Sequence, residues 1–287
     1  MRVIACSILV LIGAKVVMAQ TSAYNMAFAR YLMARQHDDE AIYVLQKLDT
    51  ELSGPARHDS VAYLLGNIYY RQQNLALSSR YFDQVSDANP RLKSEAEFFS
   101  GFNHAYMRLT ADAYSRFLRY LPGDSILQHL RIFELAGLAL LQRNLARYDS
   151  LDALLQPAQV YLTRQQTANF RQYHGRIREQ PRKSPGVAVA LSAVLPGAGR
   201  FYAGNRGQGI YTFLISAMLG LQTWEAYEKA GLRSFRFIAY STLFTSLYVG
   251  TLWGSAFAVK IKRDQVNETI DNQILFDMHI PLRTFFH

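Results

Sequence analysis

The chain has 287 residues, with 31 Lys+Arg against 22 Asp+Glu for a formal charge of +9, and half of its residues are hydrophobic. That length is ample for a core without staples. A single cysteine, Cys6, excludes disulfide frameworks, cysteine-based zinc sites, iron–sulfur clusters and thiol nucleophiles once the N-terminal run is removed.

Met1-Arg2, the apolar run Val3 to Ala14 and the small residues Val17-Met18-Ala19 predict an export signal over residues 1–19, with Gln20 the first mature residue. The run is interrupted by Lys15 and is shorter than the roughly 20 residues of a spanning helix.

Residues 20–156 read as a helical repeat. Ala29, Gly66, Gly101 and Ala136 recur at intervals of 37, 35 and 35 residues, and Ala41, Ser78, Ala113 and Tyr148 follow each by 12. The string Gln73-Asn74-Leu75-Ala76 nearly returns as Arg143-Asn144-Leu145-Ala146, two periods on. A small residue in each of two neighbouring helices lets their axes approach, while Tyr, Phe and Leu fill the gaps. Four pairs are predicted, over about 24–52, 59–86, 91–119 and 125–155, parted by Gly54-Pro55, Asn89-Pro90 and Pro122-Gly123. The fourth departs from the pattern at Tyr148-Asp149 and is expected to be shifted or to act as a cap.

The copy Leu65-Gly66, Tyr69, Ser78, Phe82, Val85 and Pro90 resembles the tetratricopeptide repeat in spacing and residue type. The resemblance implies a solenoid whose concave face holds peptides or helices of partner proteins, without enzymatic activity. Tyr31, Tyr43, Tyr69, Tyr70 and Tyr81 read first as core and groove filler, since aromatic stripes at helical spacing usually pack.

Residues 157–185 are expected to form a helix and a basic, Pro-containing linker. Arg176, Arg178, Arg182 and Lys183 precede an apolar region and suit anionic lipid headgroups. Residues 186–259 read as a membrane domain: a short helix 186–199 and transmembrane helices 207–227 and 237–259. Small residues are frequent there, and Gly250 and Gly254 form one G-x-x-x-G for helix packing, first within the hairpin and then in a homo-oligomer.

The stretch Pro196-Gly197-Ala198-Gly199-Arg200-Phe201-Tyr202-Ala203-Gly204 resembles the membrane-hairpin domains related to the transmembrane-two family, which implies a short helix, a Gly-rich turn and two crossing helices. Pro196, Gly197, Gly199 and Gly204 supply the reversal, while Phe201 and Tyr202 suit the interfacial aromatic belt. No Lys-Ser/Thr follows these glycines, which argues against a phosphate loop.

The basic flank 171–183 favours the cytoplasm, whereas the signal places the repeats outside. The signal carries more weight for a large translocated domain, so the expected location is the inner membrane with periplasmic repeats. After Arg263 the tail 260–287 contains an acidic amphipathic stretch, Asp264 to Asp271, then apolar runs at Ile274-Leu275-Phe276 and Phe285-Phe286, and suits either the membrane surface or the repeats.

No catalytic, cofactor-binding or metal-ligating constellation stands out. The seven histidines show no pair at i, i+4, and His37-Asp38-Asp39-Glu40 reads as a solvated turn. Arginines spread along the chain argue against nucleic acid. The sequence therefore predicts an all-α protein: a tetratricopeptide-like solenoid plus a C-terminal transmembrane hairpin. Its expected role is a non-enzymatic scaffold for partner proteins at the bacterial envelope, with membrane lipid as a second partner. The alternative is an oligomerising membrane component of an envelope transport or assembly system.

Overall fold

The computed structural model describes residues 24–51, 55–155 and 161–286. The expected signal segment, residues 1–19, lies outside them. The described residues form thirteen α-helices and one 3-10 turn, with no strand among them, so the protein is all-α. They divide into two compact units, one running through Gly175 and resuming at Ile274, the other being Arg176–Gln273.

The first unit contains four helix pairs: α1 (24–34) with α2 (Asp38–Glu51), α3 (Pro55–Arg71) with α4 (Leu75–Phe82), α5 (Pro90–Tyr106) with α6 (Thr110–Arg119), and α7 (Ser125–Leu141) with α8 (Leu145–Leu155). Helix α9 (Arg164–Arg178) follows. Each pair closes through the same turn. Gln36, Gln73, Arg108 and Arg143 adopt φ of 63, 59, 66 and 57°. The next N–H then reaches the carbonyl five residues back: His37 to Leu32, Asn74 to Tyr69, Leu109 to His104 and Asn144 to Ala139. Asn74 and Asn144 go on to cap the second helix, accepting from Leu77 N at 3.3 Å and Arg147 N at 3.1 Å. The near-repeated strings are thus turn and cap in one. Between pairs, Asn89 caps α5 ahead of Pro90 and Asp124 caps α7.

Ala29, Ala41, Gly66, Ser78, Gly101, Ala113 and Ala136 are all buried. A Cβ on Gly66 would stand 2.6 Å from the Phe82 ring, and one on Gly101 would stand 2.5 Å from the Phe117 ring. Each ring lies 16 residues further along the chain, so the same knob fills the same gap in two successive pairs. Burying a phenylalanine of this kind contributes about 1.5–3 kcal/mol. Ser78 Oγ donates to the Gly66 carbonyl at 2.9 Å and accepts from Asn103 Nδ2 at 2.9 Å, tying the second pair to the third. In the fourth pair Tyr148 is buried and stacks on His174 of α9, with centroids 5.0 Å apart. Phe170 of α9 stacks on Phe133 at 4.7 Å and 7°. The large side chain at 148 is accommodated because a single helix, rather than another pair, packs there.

The second unit contains α10 (Pro185–Val194), α11 (Ala198–Ala203), α12 (Arg206–Ala230) and α13 (Phe235–Phe286) as far as Gln273. A Cβ on Gly197 (φ 91°) would lie 2.5 Å from the Gly209 carbonyl oxygen, and one on Gly199 would lie 2.0 Å from that of Ala188. Gly204 (φ 97°) ends α11. Helices α12 and α13 reverse at Gly231, bringing Tyr227 and Phe237 to 6.0 Å.

Among the described residues, α13 is the one helix long and apolar enough to cross a membrane, and only 22% of its apolar window is buried. The expected crossing 237–259 lies within it. The expected crossing 207–227 lies in α12, where Gln208, Tyr211 and Gln222 keep the hydropathy below that of a clear span. Residues 260–286 are not a separate tail. They continue α13, since no glycine interrupts them and the sole proline, Pro281, comes near the end.

Candidate functional site

Within the first unit, the last turns of α13 lie across α3, α5, α7 and α9. Ile274, Leu275, Met278 and Leu282 are buried. Together with Phe286 they form one stripe at helical spacing. Met278 fills the space over Gly137, where a Cβ would meet its Cγ and Sδ at 2.7 Å. The His279 ring stacks on Phe102 at 4.8 Å and 14°, and its Nε2 hydrogen-bonds the Tyr70 hydroxyl. Phe286 packs against Phe98 and Phe99 at 5.7 and 6.0 Å. Asp277 accepts from the Tyr173 hydroxyl at 2.7 Å and from Asn169 Nδ2 at 3.1 Å. The first helices of the second to fourth pairs, with α9, therefore form a groove that holds an amphipathic helix. Sequence reasoning named Ile274, Leu275 and Phe286 as apolar but left the tail between two surfaces, and it passed over Asp277, Met278, His279 and Leu282. The stripe itself is the signal that could have found them.

Beyond Phe286, a cavity of about 290 Å³ opens between α1, α3 and α5, lined by Arg30, Met33, Ser60, Tyr63, Leu64 and Leu92. Tyr63 and Leu92 pack on the same core cluster as Phe286, centred on Phe82 and Phe99. The cavity is thus the next stretch of the groove. On α1, Tyr24, Phe28 and Tyr31 are exposed, as is Tyr43 on α2.

Glu134 is the outlier of the core. It is fully buried, and neither carboxylate oxygen has a hydrogen-bond partner. Burial pushes its carboxyl well above the usual carboxylate range. One and two periods earlier the same position holds Phe99 and Leu64. In the His37–Glu40 cluster, Asp38 pairs with Arg71 and Asp39 accepts from Gln72 Nε2 at 3.4 Å. These acids tie the first pair to the second. No cluster of His, Cys, Asp and Glu that could hold a metal ion occurs among the described residues.

In the second unit the turn motif is a packing device. Phe201 covers Gly209, and Tyr202 Oη accepts from Ser184 N at 3.1 Å beneath the Lys183 ammonium, 5.6 Å from the ring centre. Ser192 Oγ meets Ser255 Oγ at 2.6 Å and accepts from Gly199 N at 3.0 Å, linking α10, α11 and α13. The two glycines of the G-x-x-x-G part company. Gly254 receives the Arg200 guanidinium, whose Nη2 lies 2.7 Å from a would-be Cβ, whereas Gly250 meets nothing within 4 Å.

Ala188, Ala203, Ala258 and Val259 form one cluster with Tyr202. This brings the start of α10, the start of α12 and the 260–263 stretch of α13 to one end of the unit. Arg182, Lys183, Arg206, Lys260, Lys262 and Arg263 gather there, with Asp264 3.9 Å from Arg263. The other end mixes Glu225 and Glu228 with Lys229, Arg233 and Arg236 beside the exposed Trp224. Between the ends the flank is apolar and outward-facing, with Leu214, Met218, Leu221 and Trp253 all more than half exposed.

No family model matches the chain. It is 36% identical over 70 residues to an uncharacterized protein of Methanocaldococcus jannaschii, MJ1516, a match covering 23% of this chain and 69% of that protein. No solved structure matches.

Proposed function

We propose, for a chain that belongs to the same family as the uncharacterized Methanocaldococcus jannaschii protein, the role of a membrane-anchored helical-repeat adaptor that gathers partner proteins at the cell envelope. One contrast carries this reading: the first unit turns its apolar residues inward around a groove shaped for a helix, whereas the second turns them outward. Soluble proteins rarely expose an apolar surface of that extent. Lipid is its natural solvent, and the basic end matches anionic headgroups, each Lys or Arg near such a surface contributing about 1 kcal/mol. The tetratricopeptide-like spacing supports protein binding by analogy. The export signal supports an inner-membrane protein with periplasmic repeats.

The test is extraction and crosslinking. Full-length protein is expected to stay in the membrane pellet after washing with alkaline carbonate, and crosslinking in native membranes is expected to capture a protein through the first unit. Release by carbonate overturns the anchor. Protection of the repeats from protease added outside the inner membrane overturns the periplasmic placement. A second reading, an oligomerising component of an envelope assembly system, draws on Gly250, which lies open on α13. If it holds, Gly250→Leu shifts the detergent-solubilised protein to a smaller size on native electrophoresis.

A further inference from the structure

We infer that the groove's protein partner is an amphipathic helix that imitates residues 274–286, extends past them with an acidic group, and binds by displacing them. The inference rests on the adaptor reading above and names the partner of that same groove.

The resident helix defines what the groove accepts. It requires apolar side chains at the spacing of Ile274, Leu275, Met278, Leu282 and Phe286, all on one face. It also requires a flat polar ring where His279 lies between Phe102 and Tyr70. Gly137 sets the depth, since a Cβ there would stand 2.7 Å from the Met278 Cγ and Sδ. This is a helix-in-groove surface with its anchors already displayed.

The resident does not fill the groove. Past Phe286 the cavity between α1, α3 and α5 offers Met33, Tyr63, Leu64 and Leu92 as apolar walls, with the exposed Arg30 among its lining residues. A competitor must overcome the advantage of a segment that belongs to the same chain and is already in place. Equal contacts are therefore not enough. The unfilled cavity supplies the surplus, through apolar residues that continue the helix and a carboxylate that answers Arg30. The groove is thereby set to ignore short helices and to open for a longer, acid-ended one.

Two fluorescein-labelled peptides test this on the full-length protein in detergent, by anisotropy. One carries the sequence of residues 269–286, and the other adds Leu-Ala-Glu-Glu after it. The wild-type chain is expected to bind the extended peptide about tenfold more tightly than the short one, a difference worth about 1.4 kcal/mol. Arg30→Glu is expected to erase that preference. Met278→Asp, which weakens the resident helix, is expected to tighten both peptides. The milder His279→Ala is expected to do the same to a smaller degree. Failure of both variants to bind either peptide overturns the inference, as does equal binding of the two peptides by the wild type. Loss of cooperative unfolding in both Met278→Asp and His279→Ala also overturns it, because the tail is then an obligatory part of the core. None of these outcomes bears on carbonate extraction, so failure here leaves the anchor standing.

Discussion

Glycine performs different work in the two units. In the first, Gly66 and Gly101 make room for rings: the nearest obstacles to an added methyl are Phe82 and Phe117. In the second, Gly197 and Gly199 make room for backbone, and the obstacles are the carbonyls of Gly209 and Ala188. On the proposed membrane placement of the second unit, the difference follows from the drive available in each setting. A water-facing stack gains by enclosing large apolar side chains, so its small residues serve as sockets. A unit whose outside is apolar gains nothing by hiding more of the same, and it is held by close backbone approach and by hydroxyl contacts such as Ser192 with Ser255.

The sharpest break of this contrast is Gly199→Ala. A carbonyl cannot move aside without shifting α10, and the methyl would stand 2.0 Å from it. The expected cost is on the order of 4 kcal/mol or more, the range reserved for severe overpacking, measured as loss of a monodisperse protein in detergent. Gly66→Ala is expected to be milder, at about 1–3 kcal/mol, because the Phe82 ring can turn. Thermal unfolding followed by circular dichroism checks it, and Phe82→Leu in the same chain is expected to recover most of the loss. If Gly66→Ala proves as damaging as Gly199→Ala, sockets and backbone contacts are not distinct.

The third test lies wholly in the first unit. Glu134 has a folded pKa raised by burial above its unfolded value of about 4.3. Its protonated form therefore favours folding below that value, and the benefit is lost as pH rises through the folded pKa. Glu134→Leu, which restores the apolar character of Leu64 and Phe99 at that position, is expected to stabilise by about 1–3 kcal/mol at pH 8. The gain should shrink toward pH 4. A gain independent of pH would mean that the carboxyl is not the source.

Much of the first unit was legible because its signal is local and repeated. The spacing of Gly66 and Ser78 returns in Gly101 and Ala113, and each copy folds on its own neighbours. The groove's occupant was not legible. Met278 and Phe286 form a readable stripe, but their partners Gly137, Phe98 and Phe99 lie more than a hundred residues away, and nothing near either end names the other. Glu134 was passed over because a carboxylate within a helix reads as solvent-facing until its burial is seen. The glycine turn of the second unit was legible as a turn. Its close contacts were not, since they depend on where α10 and α12 pass.

The four pair-closing turns bear a cost that the chain has not relieved. Gln36, Gln73, Arg108 and Arg143 hold a left-handed backbone that side chains bearing a Cβ adopt at a penalty of about 1 kcal/mol. The hydrogen bonds to Leu32, Tyr69, His104 and Ala139 hold them there all the same. Four separate sites are therefore open to thermostabilisation by asparagine or glycine, spaced one per hairpin and removed from the residues that grip the resident helix.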